Sequence, residues 1–177
     1  MLGVGAGALL VNRLSRKAWA KTATTLPPRS ARPVTTDCHL AVVTGEAPGV
    51  ITRKAVETLG GIARFVKSGD IVVIKPNIGW DRTPEQAGNT HPEVVGALVR
   101  LCRDAGARVV KVFDNTCNDP RRTYANSGIY DAVKKAGGLV FYVSDWKFYP
   151  GQFPPNSAMA DWPIFRDAVE CDCFINV

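Results

Sequence analysis

Polar side chains follow two apolar runs of the sequence at the points where the runs end. Lys75 and Asn77 come after the apolar residues 71–74, and Asp114 and Asn115 close the run "RVVKVFDN". Apolar runs of this length, bounded by turn residues, predict buried strands of a parallel sheet. Because ligands of such sheets bind beyond the carboxyl ends of the strands, these side chains are candidate ligand contacts. Lys75 would supply positive charge, Asn77 a hydrogen-bond donor and acceptor, and Asp114 a metal ligand or a group that orients a hydroxyl.

A helix start lies in the loop that follows Lys75. Thr90 and Glu93 have the spacing of a capping box, and Pro92 suits the first helical turn. The free backbone N–H groups and the dipole of a helix start favour an anion. His91 changes charge near neutral pH, so it is a candidate acid or base. The segment therefore predicts an anion site with Thr90 as a ligand contact and with Lys75 and His91 as catalytic groups.

The candidate residues also have purely structural interpretations. The Lys75 stem would then extend past the sheet edge to keep its charge hydrated, and His91 would only occupy the first helical turn. Asp114 would accept hydrogen bonds from nearby turn amides. Arg121 and Arg122 are either a solvated pair or anion clamps through their forked donors, and Arg122 is the ligand-binding candidate of the two.

Strand and helix patterns alternate from residue 39 onward. The expected strands are 39–44, 70–75, 108–114, 139–143 and 171–177, and the expected helices are 51–66, 90–106 and 123–135, with a short helical segment at 164–169. Alternation with short connections predicts parallel strands with helices on both faces, an α/β fold. Lys75, Asp114 and Asn176 would then share the carboxyl edge of one sheet.

The net charge of the chain gives no support to nucleic-acid binding. Lys and Arg total 22 against 16 Asp and Glu, an excess of +6, and six basic residues with no acidic one precede Asp37. The excess therefore lies in the N-terminal segment, and the rest of the chain has no basic stripe. We expect a small anionic ligand rather than a nucleic acid as the partner, and the sequence does not indicate an oligomeric state.

The first 37 residues differ in composition from the rest. Residues 1–20 combine a Gly- and Ala-rich apolar stretch, basic residues and an Ala-Trp-Ala site, and 21–37 form a linker rich in Thr, Pro and Arg. This leader is similar to a twin-arginine export signal without its arginines, so we expect Met1 to lie inside a longer signal and the protein to be exported to the periplasm. We expect residues 38–177 to be the N-terminal part of an α/β domain that is truncated at its C-terminus. A cytoplasmic tail is the alternative. The apolar stretch is too short to span a membrane, and we expect no integral membrane segment in the mature domain.

Five cysteines, an odd number without dense spacing, exclude a domain held together by disulfides. Cys171 and Cys173 lie two apart in an expected strand and so on one face of it. Buried or half-buried free thiols are the expected state, with metal ligation by this pair as the alternative.

Two segments resemble a known family. The stretch "VVIKPNIGWDRTPEQAGNTHPEVVGALVRLCRDAGARVVKVFDNT" and the continuation "RRTYANSGIYDAVKKAGG" are similar to the core of the domain-of-unknown-function family 362. The resemblance implies Lys75, Asn77, His91 and Asp114 as site residues. It also implies an association with iron–sulfur clusters and with twin-arginine leaders, and further strands after a segment like "CDCFINV". The chain carries no ferredoxin cysteine motif.

The sequence thus predicts an exported α/β enzyme or cofactor protein that binds a small anionic ligand. A divalent metal ion and an iron–sulfur cluster are the candidate cofactors. A non-catalytic protein that binds or matures a metal or cofactor is the alternative, and a fragment with a structural role is a third.

Overall fold

A parallel sheet forms the centre of the fold. The computed structural model describes residues 38–151, 153–154, 156–160 and 162–177, so the predicted leader and linker lie outside the described residues. The elements are, in chain order, α1 (Pro48–Thr58), β1 (Ile71–Lys75), α2 (Pro92–Asp104), β2 (Val109–Val112), α3 (Pro120–Asn126), α4 (Ile129–Lys135), β3 (Leu139–Val140), β4 (Phe148–Pro150), β5 (Pro163–Phe165), α5 (Arg166–Val169) and β6 (Cys173–Asn176). Short 3-10 helices occupy Ile62–Arg64, Pro84–Gln86 and Asp145–Lys147.

The sheet has the strand order β3-β2-β1-β6, and each neighbouring pair is parallel. Its registers align Val72 with Val110 on one side and with Cys173 on the other. Because β1 lies between β2 and β6, its residues Val72, Val73 and Ile74 are fully buried. The predicted α/β fold with a parallel sheet is confirmed.

The apolar core joins one face of the sheet to helices α2, α3 and α4. Its fully buried members include Ile74, Val99, Tyr124 and Val133. The helix α2 contributes Val95, Leu98, Val99 and Cys102 to this core, and all four are buried. At about 25 cal/mol per Å² of apolar surface, this packing contributes the main stabilisation of the fold.

The prediction of a strand at 39–44 was wrong. Residues 38–45 form no strand, and Leu40 and Val42 are 78% and 81% exposed. The short apolar run suits a strand, but a strand also needs a hydrogen-bonded neighbour. The sheet pairs only β1, β2, β3 and β6 among the described residues, and no described strand pairs with this segment.

The prediction of one helix at 123–135 was also wrong, because the segment forms two helices. The helix α3 begins three residues earlier, at Pro120, after Asp119 caps it by accepting from Arg122 N at 3.1 Å. The chain then turns at Gly128, whose φ of +70° suits glycine, and α4 begins at Ile129. A Cβ on Gly128 would also lie 3.4 Å from Pro92 Cγ, so the turn packs closely against the start of α2.

The described residues divide into two compact units. The sheet and its helices belong to 38–143 and 171–177, and the described part of 144–170 forms the other. In the second unit β4 pairs with β5 in antiparallel fashion, and the Lys147 ammonium contacts the Asp167 carboxylate at 2.7 Å. The segment 164–169, for which we predicted a helix, divides between β5 and α5. No helix in the described ranges combines the length and the apolar character that crossing a membrane requires.

Candidate functional site

Lys75 and Asp114 form an ion pair at the carboxyl edge of the sheet. The Lys75 Nζ lies 2.9 Å from Asp114 Oδ1, and the two side chains are 39% and 7% exposed. The second carboxylate oxygen of Asp114 accepts from the backbone N–H of Ile78 at 2.7 Å. The parallel register brings the ends of β1 and β2 together, as the sequence predicted, and a buried carboxylate thereby fixes a partly exposed ammonium group.

Tyr124 holds the backbone of Asp114. Its hydroxyl accepts from Asp114 N at 2.7 Å and donates to Asp114 O at 3.0 Å. Burial raises the pKa of Tyr124 to about 12, while the hydrogen bond with the Asp114 backbone acts in the opposite direction. The phenol therefore stays protonated and fixes the peptide groups on both sides of the carboxylate. The sequence analysis missed this residue, and its only signal is a tyrosine at a core position of the helix α3.

Asn77 and Thr90 bind each other across the loop between β1 and α2. Asn77 N donates to Thr90 Oγ1 and Thr90 N donates to Asn77 O, both at 2.9 Å. The Asn77 amide accepts from Gly79 N at 3.0 Å and donates to Gly88 O at 3.3 Å. The Thr90 hydroxyl also donates to Val177 O at 3.3 Å. Both predicted ligand contacts therefore use their polar atoms to shape this loop.

His91, rather than Thr90, is the N-cap of α2. Its Nδ1 accepts from Glu93 N at 3.3 Å, so the predicted capping box between Thr90 and Glu93 was wrong by one residue. Pro92 has no N–H, and Val94 N donates to His91 O at 3.0 Å. The amides of this first turn are therefore occupied or absent, and they leave little for an anion to bind. Because Nδ1 accepts, the neutral ring carries its proton on Nε2.

Arg122 belongs to a second polar cluster, centred on Asp81. Its Nη2 lies 2.8 Å from Asp81 Oδ2, and Asn126 Nδ2 donates to Asp81 Oδ1 at 2.6 Å. The Asp81 N–H donates to Asn118 Oδ1 at 2.9 Å. Asn115 is exposed and has no hydrogen bond or ion pair within the described residues. Sequence reasoning missed Asp81 and Asn118, because Asp and Asn are so common in loops that nothing distinguished them, and it missed Asn126 because a polar residue at a helix end is equally common.

These contacts join the loop after β1 to the loop after β2. From one loop Ile78, Gly79 and Asp81 contact, in turn, Asp114, Cys117 and Asn118 of the other. The carboxyl edge is thus a hydrogen-bonded surface in which two loops support each other. Of the predicted site residues, Lys75 contacts Asp114 and Asn77 contacts Thr90, whereas no hydrogen bond or ion pair within the described part of the chain joins His91 to Lys75 or Asp114.

The described residues do not fit a metal ion or an iron–sulfur cluster. No three His, Cys, Asp or Glu side chains within them form a group that could hold a metal. Both Asp114 oxygens accept other donors, and the nearby Lys75 ammonium disfavours a second cation. The five cysteines form no disulfide with one another, and burial raises the pKa of the Cys102 thiol to about 12, against the thiolate that a cluster needs.

A family model and a curated protein match this chain. Residues 72–177 match the model described as "Domain of unknown function (DUF362)". The thylakoid-associated protein sll1697 of Synechocystis sp. is 43% identical over 126 residues, which are 71% of this chain and 38% of that protein. This chain thus spans well under half the length of that relative. No solved structure matches the chain. The chain belongs to the DUF362 family.

Proposed function

We propose that this DUF362 protein binds a small anionic ligand at the carboxyl edge of its sheet, with Lys75 as the group that contacts the anion. The observation that supports this most is the fixed position of the Lys75 ammonium, which is 39% exposed at the end of an interior strand while its counter-ion is buried. An ammonium group has three N–H donors, and Asp114 takes one of them. The remaining donors can bind a carboxylate or a phosphate.

The ion pair between Lys75 and Asp114 favours anion binding only by direct contact with the Lys75 ammonium. Asp114 offsets most of the Lys75 charge at a distance, so the site attracts anions weakly from solution. Within hydrogen-bond distance, the Lys75 ammonium still offers charged donors, which bind more strongly than neutral ones. We therefore expect affinity to depend on Lys75 itself rather than on the overall charge of the surface.

We propose that the protein is an enzyme or a cofactor protein, with His91 as the acid or base. Its Nε2 would exchange the proton, because Nδ1 caps the helix α2. Asp114 orients Lys75 in this scheme and binds no metal. A non-catalytic carrier would need the same anion contact but no titrating group. The variant His91→Asn distinguishes the two: it would abolish turnover in an enzyme, and it would leave the ligand affinity of a carrier unchanged.

We also propose that the domain is exported to the periplasm. The Gly- and Ala-rich stretch, the basic residues and the Ala-Trp-Ala site before the linker support this location. Cell fractionation of the protein expressed from its complete reading frame tests it, and recovery of unprocessed protein from the cytoplasm alone contradicts it.

Anion titrations of matched lysine variants test the binding proposal. Inorganic phosphate and acetate are titrated into the wild type, Lys75→Met and Lys75→Arg, with Lys134→Ala as the control on the exposed surface of α4. Lys75→Met keeps the stem and removes the charge, so we expect it to lose anion binding. Lys75→Arg keeps most of the binding, and the control keeps all of it. Equal dissociation constants for the wild type and Lys75→Met refute the proposal.

A further inference from the structure

The backbone of Trp80 is held by one side chain, Asn89. Trp80 N donates to Asn89 Oδ1 at 3.0 Å, and Asn89 Nδ2 donates to Trp80 O at 2.8 Å. The same Nδ2 also reaches Arg82 O at 3.3 Å. A single amide therefore satisfies both peptide groups of Trp80, and it fixes the position from which the indole projects.

The Trp80 residue combines this held backbone with partial exposure to solvent. The residue is 50% exposed, and within the described part of the chain its ring has no aromatic, cationic or hydrogen-bonding partner. The loop folds tightly behind it, since a Cβ on Gly88 would lie 3.7 Å from Trp80 Cβ and 3.2 Å from Arg82 Cγ. About half of the surface of this large apolar residue is thus open to solvent on a hydrogen-bonded loop.

A short series of contacts connects the loop of Trp80 to the Lys75 ion pair. Ile78 contacts Asp114, which contacts Lys75, and Trp80 follows Ile78 by two residues, a span of at most about 7 Å. On either side of Trp80 the loop is bound to the loop after β2, through Gly79 O with Cys117 N at 2.9 Å and through Asp81 N with Asn118 Oδ1. Lys75 and the loop that carries Trp80 therefore belong to the same carboxyl edge of the sheet.

We propose that the ligand of this site carries a planar aromatic group next to its anionic group, and that the aromatic group stacks on Trp80. The inference rests on the proposed anion contact at Lys75. Aromatic rings prefer offset stacking or edge contacts with other rings, and a half-exposed indole on a backbone held by hydrogen bonds offers such a contact without ordering the loop. Lys75 then selects the charge of the ligand, and Trp80 selects its flat apolar part.

Two anions that differ only by a ring test this proposal. Phenyl phosphate and inorganic phosphate are titrated by calorimetry into the wild type, Trp80→Ala, Trp80→Phe and Lys75→Met, with Trp162→Ala as a control for an exposed tryptophan of the other unit. We expect the wild type to bind phenyl phosphate about fivefold more tightly or better, as ring contacts of this kind allow. Trp80→Ala loses the preference and keeps its phosphate affinity, Trp80→Phe keeps part of the preference, and the control keeps all of it.

The outcomes separate the two proposals. Binding of both anions with equal affinity, or a preference that survives in Trp80→Ala, overturns the role of Trp80 and leaves the anion contact intact. Binding of neither anion by the wild type overturns both proposals. Loss of binding of both anions in Lys75→Met, together with loss of the ring preference alone in Trp80→Ala, supports both.

Discussion

The ion pair between Lys75 and Asp114 makes a quantitative prediction. At 2.9 Å and an effective dielectric constant of about 20, the gross attraction is about 6 kcal/mol. Burial of the carboxylate opposes this attraction and water screens the 39% exposed ammonium, so we expect a coupling of about 1–2 kcal/mol. Asp114→Ala also leaves the N–H of the buried Ile78 without an acceptor, which costs about 1–3 kcal/mol more.

A double-mutant cycle with Lys75→Met and Asp114→Asn measures the coupling. Asp114→Asn keeps an acceptor for the Ile78 N–H, so it isolates the charge, and Asp114→Ala adds the lost hydrogen bond. Urea unfolding followed by far-UV circular dichroism gives the free energy of unfolding of each variant. A coupling below about 0.3 kcal/mol, or an Asp114→Ala variant no less stable than Asp114→Asn, would refute the reasoning.

Two further predictions concern buried hydroxyl and thiol groups. Tyr124→Phe removes both hydrogen bonds to the Asp114 backbone and should lower the free energy of unfolding by about 2–3 kcal/mol in the same assay, whereas a loss under about 0.5 kcal/mol would contradict that role. Burial raises the pKa of Cys102 from 9.0 to about 12, so the unfolded chain loses this proton first and stability should fall as the pH rises above about 9. Below that pH both states keep the proton and the effect vanishes. In Cys102→Ala, this part of the fall in stability at alkaline pH should be absent, and an unchanged fall would contradict the prediction. In the folded protein, exposed Cys117 should react with iodoacetamide before buried Cys102 does. The reverse order of reaction would contradict the burial of Cys102.

The sheet was predictable where burial and pairing agree. The run 71–74 is apolar throughout and is buried on both faces between two parallel neighbours, so its pattern determined its structure. The segment 39–44 has a similar composition but no paired neighbour among the described strands. The residues of one segment alone do not indicate which strand it pairs with. The break at Gly128 was missed because the apolar periodicity continues across it.

The position of the candidate site at the sheet edge was predictable from the sequence, whereas its hydrogen bonds were not. The topology of parallel strands brings Lys75 and Asp114 together, so the rule about carboxyl ends was enough to find them. Which atoms stay available depends on loop geometry. The N-cap of α2 was predicted at Thr90 and lies at His91, and the backbone N–H groups of the first turn are therefore hydrogen-bonded within the helix start. Tyr124 acts through backbone groups from another element, which sequence spacing does not reveal.

The strand β6 pairs with β1 although a long stretch of chain separates the two strands. Asp172 and Ile71, whose contact marks this junction, are 101 positions apart, whereas Ile78 and Asp114 are 36 apart. By the logarithmic law of loop closure, the longer separation costs only about 0.9 kcal/mol more. Residues 144–170, which lie inside the longer loop, could therefore double in length for well under 1 kcal/mol. Evolution can thus replace or enlarge this segment while β1 and the residues at its carboxyl end stay unchanged, and we expect the members of the family to differ most in this segment.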